Sequence, residues 1–290
     1  MFSYSKNYFF GILLSKNRIF VSLKQKAKNM PTIKFDKYHG AGNDFVMLDM
    51  TELPLELDII TVERLCNRRF GIGADGLIAI CRSDKSDFRM RYYNSDGREA
   101  SFCGNGSRCS VAFAYDKNII KGTETVFEAF DGIHHANILE DKGNTKTVRM
   151  QMSDAKAEIH DDYIFVDTGS PHYVKHVENP DAIDVKTEGA KIRYDKNISP
   201  NGTNVDFIHY DGSIIYIRTY ERGVEDETLA CGTGITAAAI ATSLWYGGEH
   251  FKVKARGGDL EVSLKHNDLI FNNIALTGPA CRVFSGVIEI

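Results

Sequence analysis

The alternation of apolar and polar positions along the chain predicts many short strands and few helices. In the first part, β-like runs occur at residues 32–38, 45–49, 77–81, 88–93 and 125–128. Two helical patterns interrupt them, a short one over 61–67 and a longer one over 105–117, where Ala, Val and Phe with little charge predict burial. Beyond a loop at 140–145, strand-like runs resume at 147–152, 163–168, 205–209 and 214–219. A second apolar helix follows from Gly234 to about Leu244, in which Ala237, Ala238, Ala239 and Ala241 permit close packing on all sides. Strands at 251–255, 259–265, 268–274 and 280–288 close the chain, so each half holds many strands and one central helix.

The two central helices are introduced by similar wording. Glu99-Ala-Ser-Phe-Cys103-Gly-Asn-Gly precedes the first, and Glu227-Thr-Leu-Ala-Cys231-Gly-Thr-Gly precedes the second, 128 positions later (103 to 231). Self-similarity placed at matching element boundaries suggests an internal duplication in which each half presents the same atom.

Length and composition fit that plan. A chain of 290 residues accommodates two compact halves. A hydrophobic fraction of 43% and a charged fraction of 26% are those of a globular protein with a real core. The net charge of −4, without long like-charge runs, offers no footprint for nucleic acid or an anionic membrane, and a small polar substrate fits better. Six cysteines are too sparse for a disulfide-stapled fold and include no CxxC pair of the zinc-gripping kind. Cys66, Cys81, Cys109 and Cys281 read as small buried hydrophobes. In residues 1–29 the apolar run from Tyr8 to Leu14 is too short to span a bilayer, and Lys24, Lys26 and Lys28 stand where a secretory cleavage site would lie. These residues read as an N-terminal extension before a natural start at Met30, and the protein as cytoplasmic.

Cys103 and Cys231 carry the chemistry. A CGxG run at the mouth of a buried helix leaves backbone N–H groups bare at the positive end of the helix dipole. Those donors are expected to lower the thiol pKa and to receive an α-carboxylate while its neighbouring carbon loses a proton. One such site would be ambiguous between nucleophile, redox thiol and cap. Two from duplicated halves supply what inversion of a carbon centre requires, a base on one face and an acid on the other.

Together with these cysteines, Lys37-Tyr-His-Gly-Ala-Gly-Asn-Asp-Phe-Val46, Phe70-Gly-Ile-Gly-Ala-Asp75, Tyr93-Asn-Ser-Asp-Gly97 and Glu221-Arg-Gly occur in an order that resembles the diaminopimelate epimerases. The resemblance runs from about Thr32 to the C-terminus. It implies an α/β (α+β) fold of two pseudo-symmetric domains, each a β-barrel-like sheet wrapped around a central helix. The domains would comprise residues 30–147 plus 277–290, and residues 148–276, with the site in the cleft between them. It further implies interconversion of LL- and meso-diaminopimelate in lysine and peptidoglycan precursor synthesis, with no cofactor, neither pyridoxal phosphate nor metal, and a homodimer. By the same resemblance Cys103 and Cys231 are the acid/base pair, His172 and Glu221 assist them, and Gly104, Asn105, Gly232 and Thr233 surround the reacting carboxylate. Asn43, Asn94, Asn204, Glu221 and Arg222 would hold the amino and carboxylate groups of the amino-acid substrate. An arginine fork and a carboxylate acceptor, supplemented by neutral amides, suit a zwitterion.

The chain departs from the family pattern at Ser170, where Asn usually precedes Pro-His, at Gly76, where many relatives carry Gln, and in Val224-Glu-Asp-Glu227, which is one residue longer. Three rival readings stand beside it: a proline racemase or hydroxyproline epimerase, whose usual His after the first Cys-Gly is here Asn105, a non-catalytic binder of the same fold, and a thiol-redox enzyme.

Overall fold

The predicted strands are realised over most of the chain. The computed structural model describes residues 32–52, 56–100 and 103–289, and the reading of 1–29 as an extension lies outside them. The first half runs β1 (Thr32–Gly40), β2 (Asn43–Asp49), α1 (Ile59–Cys66), β3 (Gly76–Cys81), β4 (Phe88–Asn94), α2 (Gly104–Asp116), β5 (Glu124–Ala129), β6 (Gly132–Lys142) and β7 (Thr145–Gln151). The second opens on β8 (Ala155–Ile159) and continues with β9 (Ile164–Asp167), β10 (Pro171–His176), α3 (Val185–Arg193), β11 (Asn204–Tyr210) and β12 (Ile214–Glu221). It ends with the short β13 (Asp226–Thr228), α4 (Gly232–Tyr246), β14 (His250–Ala255), β15 (Gly258–Asn267) and β16 (Ile270–Glu289).

Strand pairing shows the duplication. In the first half β1–β2 is antiparallel, β2–β3 parallel, β3–β4 antiparallel, β4–β5 parallel, and β5–β6 and β6–β7 antiparallel. The same order of senses recurs through β9, β10, β11, β12, β14, β15 and β16. Within each half the strands wrap one helix: α2 packs on β1, β2, β3, β7 and β16, and α4 on β10, β11, β12, β14 and β15. A helix enclosed on all sides needs no polar face, which accounts for the near absence of charge in both. In β4 the period of two is plain, with Phe88 and Met90 inside and Arg89 outside.

Several expectations are corrected. The expected loop at 140–145 is the end of β6 and the start of β7, joined by a turn at Gly143, and most of β6 was not read from the sequence. The two expected strands at 268–274 and 280–288 are one strand, β16. Gly278-Pro279 looks like a breaker, but it lies where β16 exchanges β15 for β7 as partner, so the missing proline N–H falls at a changeover. Strands β8, β10 and β13 and helix α3 were also unpredicted, and each half carries a second, peripheral helix, α1 or α3. No helix among the described residues is long and apolar enough to cross a membrane.

Candidate active site

Both cysteines are helix N-caps in extended backbone conformation, Cys103 for α2 and Cys231 for α4. The two helix starts touch: a Cβ added to Gly232 would lie 3.6 Å from the Cα of Gly104. The tighter neighbour of that added Cβ is Leu276 Cδ2, at 3.2 Å. Asn105 spans the junction, its Nδ2 donating to the carbonyl of Ala230 at 2.8 Å, one residue before Cys231. The cap geometries differ. Cys103 Sγ accepts the Gly106 N–H at 3.5 Å, whereas Cys231 makes no side-chain cap hydrogen bond.

On the second side, Cys231 Sγ lies 3.3 Å from Thr233 Oγ1, which lies 2.9 Å from His172 Nε2. His172 Nδ1 is 2.7 Å from Asp206 Oδ2, and Asp206 Oδ1 accepts from Thr219 at 2.7 Å. The Arg222 N–H donates to Asn204 Oδ1 at 2.8 Å, so the Asn204 amide nitrogen faces Ser170 Oγ at 2.8 Å and His172 Nε2 at 3.3 Å. The Asp206 carboxylate accepts the N–H of Nδ1.

On the first side, Asn43 donates to Asp75 Oδ2 at 2.8 Å, which turns its carbonyl oxygen towards Cys103 Sγ, 3.7 Å away, and towards Asn105 Nδ2 at 3.3 Å. Arg68 ties Asp75 to Asp44 at 2.6 and 2.7 Å, and Lys37 pairs with Asp44 at 2.7 Å.

The expectation of acidified thiols is overturned. Burial pushes the Cys103 thiol up to about 11, and Glu221 adds to the rise despite the backbone donors of Gly106 and Asn105. Cys231 is raised well above 9.0, by burial first, then by Glu221 and Asp206. Desolvation of a thiolate outweighs the helix-start donors here. Glu221, itself raised by burial, bears on both sulfurs.

The sequence-predicted residues are therefore largely gathered together. Asn43, Gly104 and Asn105 flank Cys103, and Asn204, His172, Gly232 and Thr233 flank Cys231, while Arg222 turns its guanidinium towards the Gly202 carbonyl at 3.5 Å. Asn94 is exposed at the end of β4, opposite Gly76, and its neighbour Ser95 donates to the Asp75 carbonyl. Ser170, in place of the family's asparagine, is held by Asn204. Gly76 is sterically required, because a Cβ there would lie 2.6 Å from the Tyr92 ring and 2.6 Å from the Tyr93 carbonyl. Three residues went unread: Asp206, the fully buried Arg108, and Tyr92, whose hydroxyl senses Cys103, Glu221 and Asp75. A lone Asp in an apolar strand and a lone Arg in an apolar helix were the available signals. Cys66 and Cys109 are buried as expected, but Cys281 is half-buried, accepts from Thr145 Oγ1 at 3.4 Å, and is acidified by a hydrogen bond from His39. A hollow of about 410 Å³ lined by Arg149, His250, Lys252 and Glu261 contains none of the site residues.

The chain is similar to known proteins. The family model described as Diaminopimelate epimerase matches residues 35–157 and 164–283. The diaminopimelate epimerase of Flavobacterium psychrophilum is 47% identical over 261 residues, covering 88% of this chain and 100% of that protein. That of Chlorobaculum tepidum is 41% identical over 267 residues, covering 87% and 99%. Among solved structures, a PhzF-family phenazine biosynthesis protein from Bacillus anthracis superposes with a TM-score of 0.71 at 16% identity, covering 90% of this chain and 100% of that one. A hydroxyproline epimerase from Agrobacterium vitis gives 0.67 at 13% identity, covering 89% and 93%. The rival proline-type epimerases thus share the fold alone. With a family model that spans both halves and relatives 47% and 41% identical over nearly their whole length, the chain belongs to the diaminopimelate epimerase family.

Proposed function

We propose that this chain interconverts LL- and meso-diaminopimelate by moving one proton between Cys103 and Cys231 across the substrate's α-carbon. The observation that carries this reading is the meeting of two duplicated helix starts, each with a cysteine at its N-cap position. One sulfur enters as thiolate and takes the α-proton, so that a C–H bond breaks and an S–H bond forms. The other enters as thiol and gives its proton to the opposite face, so that an S–H bond breaks and a C–H bond forms. Bare amides at the two helix starts suit the α-carboxylate and the charge it gains as the carbon is deprotonated. Arg222 and Glu221 offer opposite charges to the two ends of a zwitterion, with Asn43, Asn94 and Asn204 as neutral partners.

The same reading places the enzyme in lysine and peptidoglycan precursor synthesis, in the cytoplasm and as a homodimer. It divides the chain into domains at 30–147 plus 277–290 and at 148–276. The test is to offer LL-diaminopimelate and L-proline separately in deuterated water. Deuterium at the α-carbon of diaminopimelate alone is expected, and incorporation into proline alone would overturn the assignment.

A further inference from the structure

The duplicated halves are not electrostatic equals. Gly106 and Gly234 occupy the same place, three residues after each cysteine. Beneath Gly106 lies Ile78 of β3, its Cδ1 2.9 Å from the position of an added Cβ, whereas beneath Gly234 lies Asp206 of β11, its Oδ1 at 2.6 Å. Two residues further along each helix the difference is reversed. Arg108 sends Nη1 to the Gly104 carbonyl at 3.3 Å, and its counterpart Thr236 sends a neutral hydroxyl to the Gly232 carbonyl at 3.0 Å.

Arg108 has no exposed surface, and its remaining contacts are the Asn105 side-chain oxygen at 2.7 Å and the Pro279 carbonyl at 3.5 Å. Among the described residues no carboxylate pairs with it, and the ionisable groups that bear on it are the thiols of Cys109 and Cys103. A guanidinium buried without an anion is expensive, because neutral carbonyls replace only part of the lost hydration. Cys109 is sealed in the core, where burial drives its thiol strongly upwards, so Cys103 is the group that can become the missing anion.

On the other side Thr233 Oγ1 stands between Cys231 Sγ and His172 Nε2, at 3.3 and 2.9 Å, with the Asp206 carboxylate behind the ring at 2.7 Å from Nδ1. Cys103 accepts the Gly106 N–H at its sulfur, and its own S–H lies 3.7 Å from Asn43 Oδ1, which also accepts from Asn105. Glu221 bears on both sulfurs, the neutral Tyr92 hydroxyl on Cys103 and Asp206 on Cys231, so the charged groups that distinguish the two are Arg108 on one side and Asp206 on the other.

We infer that Arg108 is a positioning residue, the built-in countercharge of a Cys103 thiolate, so that Cys103 is the first of the two thiols to ionise and serves as the base, with Cys231 as the acid. This rests on the two-thiol reading. It is tested on the wild-type enzyme by alkylation with iodoacetamide from about pH 6 to about pH 11, with mass spectrometry following the Cys103 and Cys231 peptides separately, since only thiolates react. The midpoint for Cys103 is expected below that for Cys231. Arg108→Gln should raise the Cys103 midpoint by about one unit or more and leave that of Cys231 in place, and Arg108→Lys should keep the wild-type order. A lower midpoint at Cys231 in the wild type overturns the inference, as does an unmoved Cys103 midpoint in a folded Arg108→Gln. If that variant does not fold, the wild-type order decides alone. Failure of the two-thiol reading would show elsewhere, as turnover by Cys103→Ala and Cys231→Ala.

Discussion

The carboxylate of Asp206 lies 2.7 Å from Nδ1 of His172, and neither side chain is exposed to solvent. The pair fixes the face that His172 turns towards Thr233 and Cys231. Replacing Asp206 by Leu leaves both His172 and Thr219 without an acceptor in a buried place, and a loss of about 3–5 kcal/mol in urea unfolding is expected. Asp206→Asn keeps the shape and should retain more of that stability while still lowering turnover. Unfolding midpoints and initial rates on the same preparations check both halves of the statement.

Removing either thiol removes one face of the proton transfer. Cys103→Ala and Cys231→Ala should each lower epimerisation on the order of 10³-fold with little change in Tm. Wild-type turnover by both variants would end the two-thiol account.

Because burial raises both thiols, the thiolate fraction of the free enzyme grows throughout the alkaline range up to about 11 at Cys103. The rate under kcat/KM conditions is therefore expected to rise with pH across neutrality, since base formation limits the ascending limb. A profile that falls from neutral pH to mild alkali contradicts the burial argument.

Glu221 gives a stability signature of its own. Its pKa is raised above 4.5 by burial, so the folded state holds this proton more tightly than the unfolded chain does. The resulting stabilisation is complete below 4.5 and is lost as pH climbs through the elevated value. Glu221→Gln should flatten that decline in denaturant titrations while lowering kcat/KM by roughly 10–100-fold.

Gly76 is expected to tolerate no side chain. Gly76→Ala would drive a methyl group against the Tyr92 ring and the Tyr93 carbonyl, both 2.6 Å from its position, and should destabilise by about 1–3 kcal/mol. An unchanged unfolding curve would mean that β3 and β4 can part without cost.

What was legible in the sequence followed from local rules. Period, punctuation and the repeated CGxG run revealed both buried helices, most strands, the duplication and the two sulfurs. The pairing of His172 with Asp206 was not legible, because it depends on the parallel register of β10 and β11, in which His172 faces Asn204 and places Asp206 two residues further along the same strand face. Arg108 stood in plain view inside an apolar helix, but its burial depends on strands distant in sequence. The thiol acidities were misjudged for a related reason: a helix start can be read locally, whereas the depth to which the rest of the chain buries it cannot.

The shared strand β16 has a consequence for biogenesis. Residues 281–289 are the partner of β1, matching Thr32 to Glu289 and His39 to Cys281. As a ribosome releases the chain from its N-terminus, the first barrel therefore waits unsealed through the whole synthesis of the second, until residues 281–289 emerge to close it.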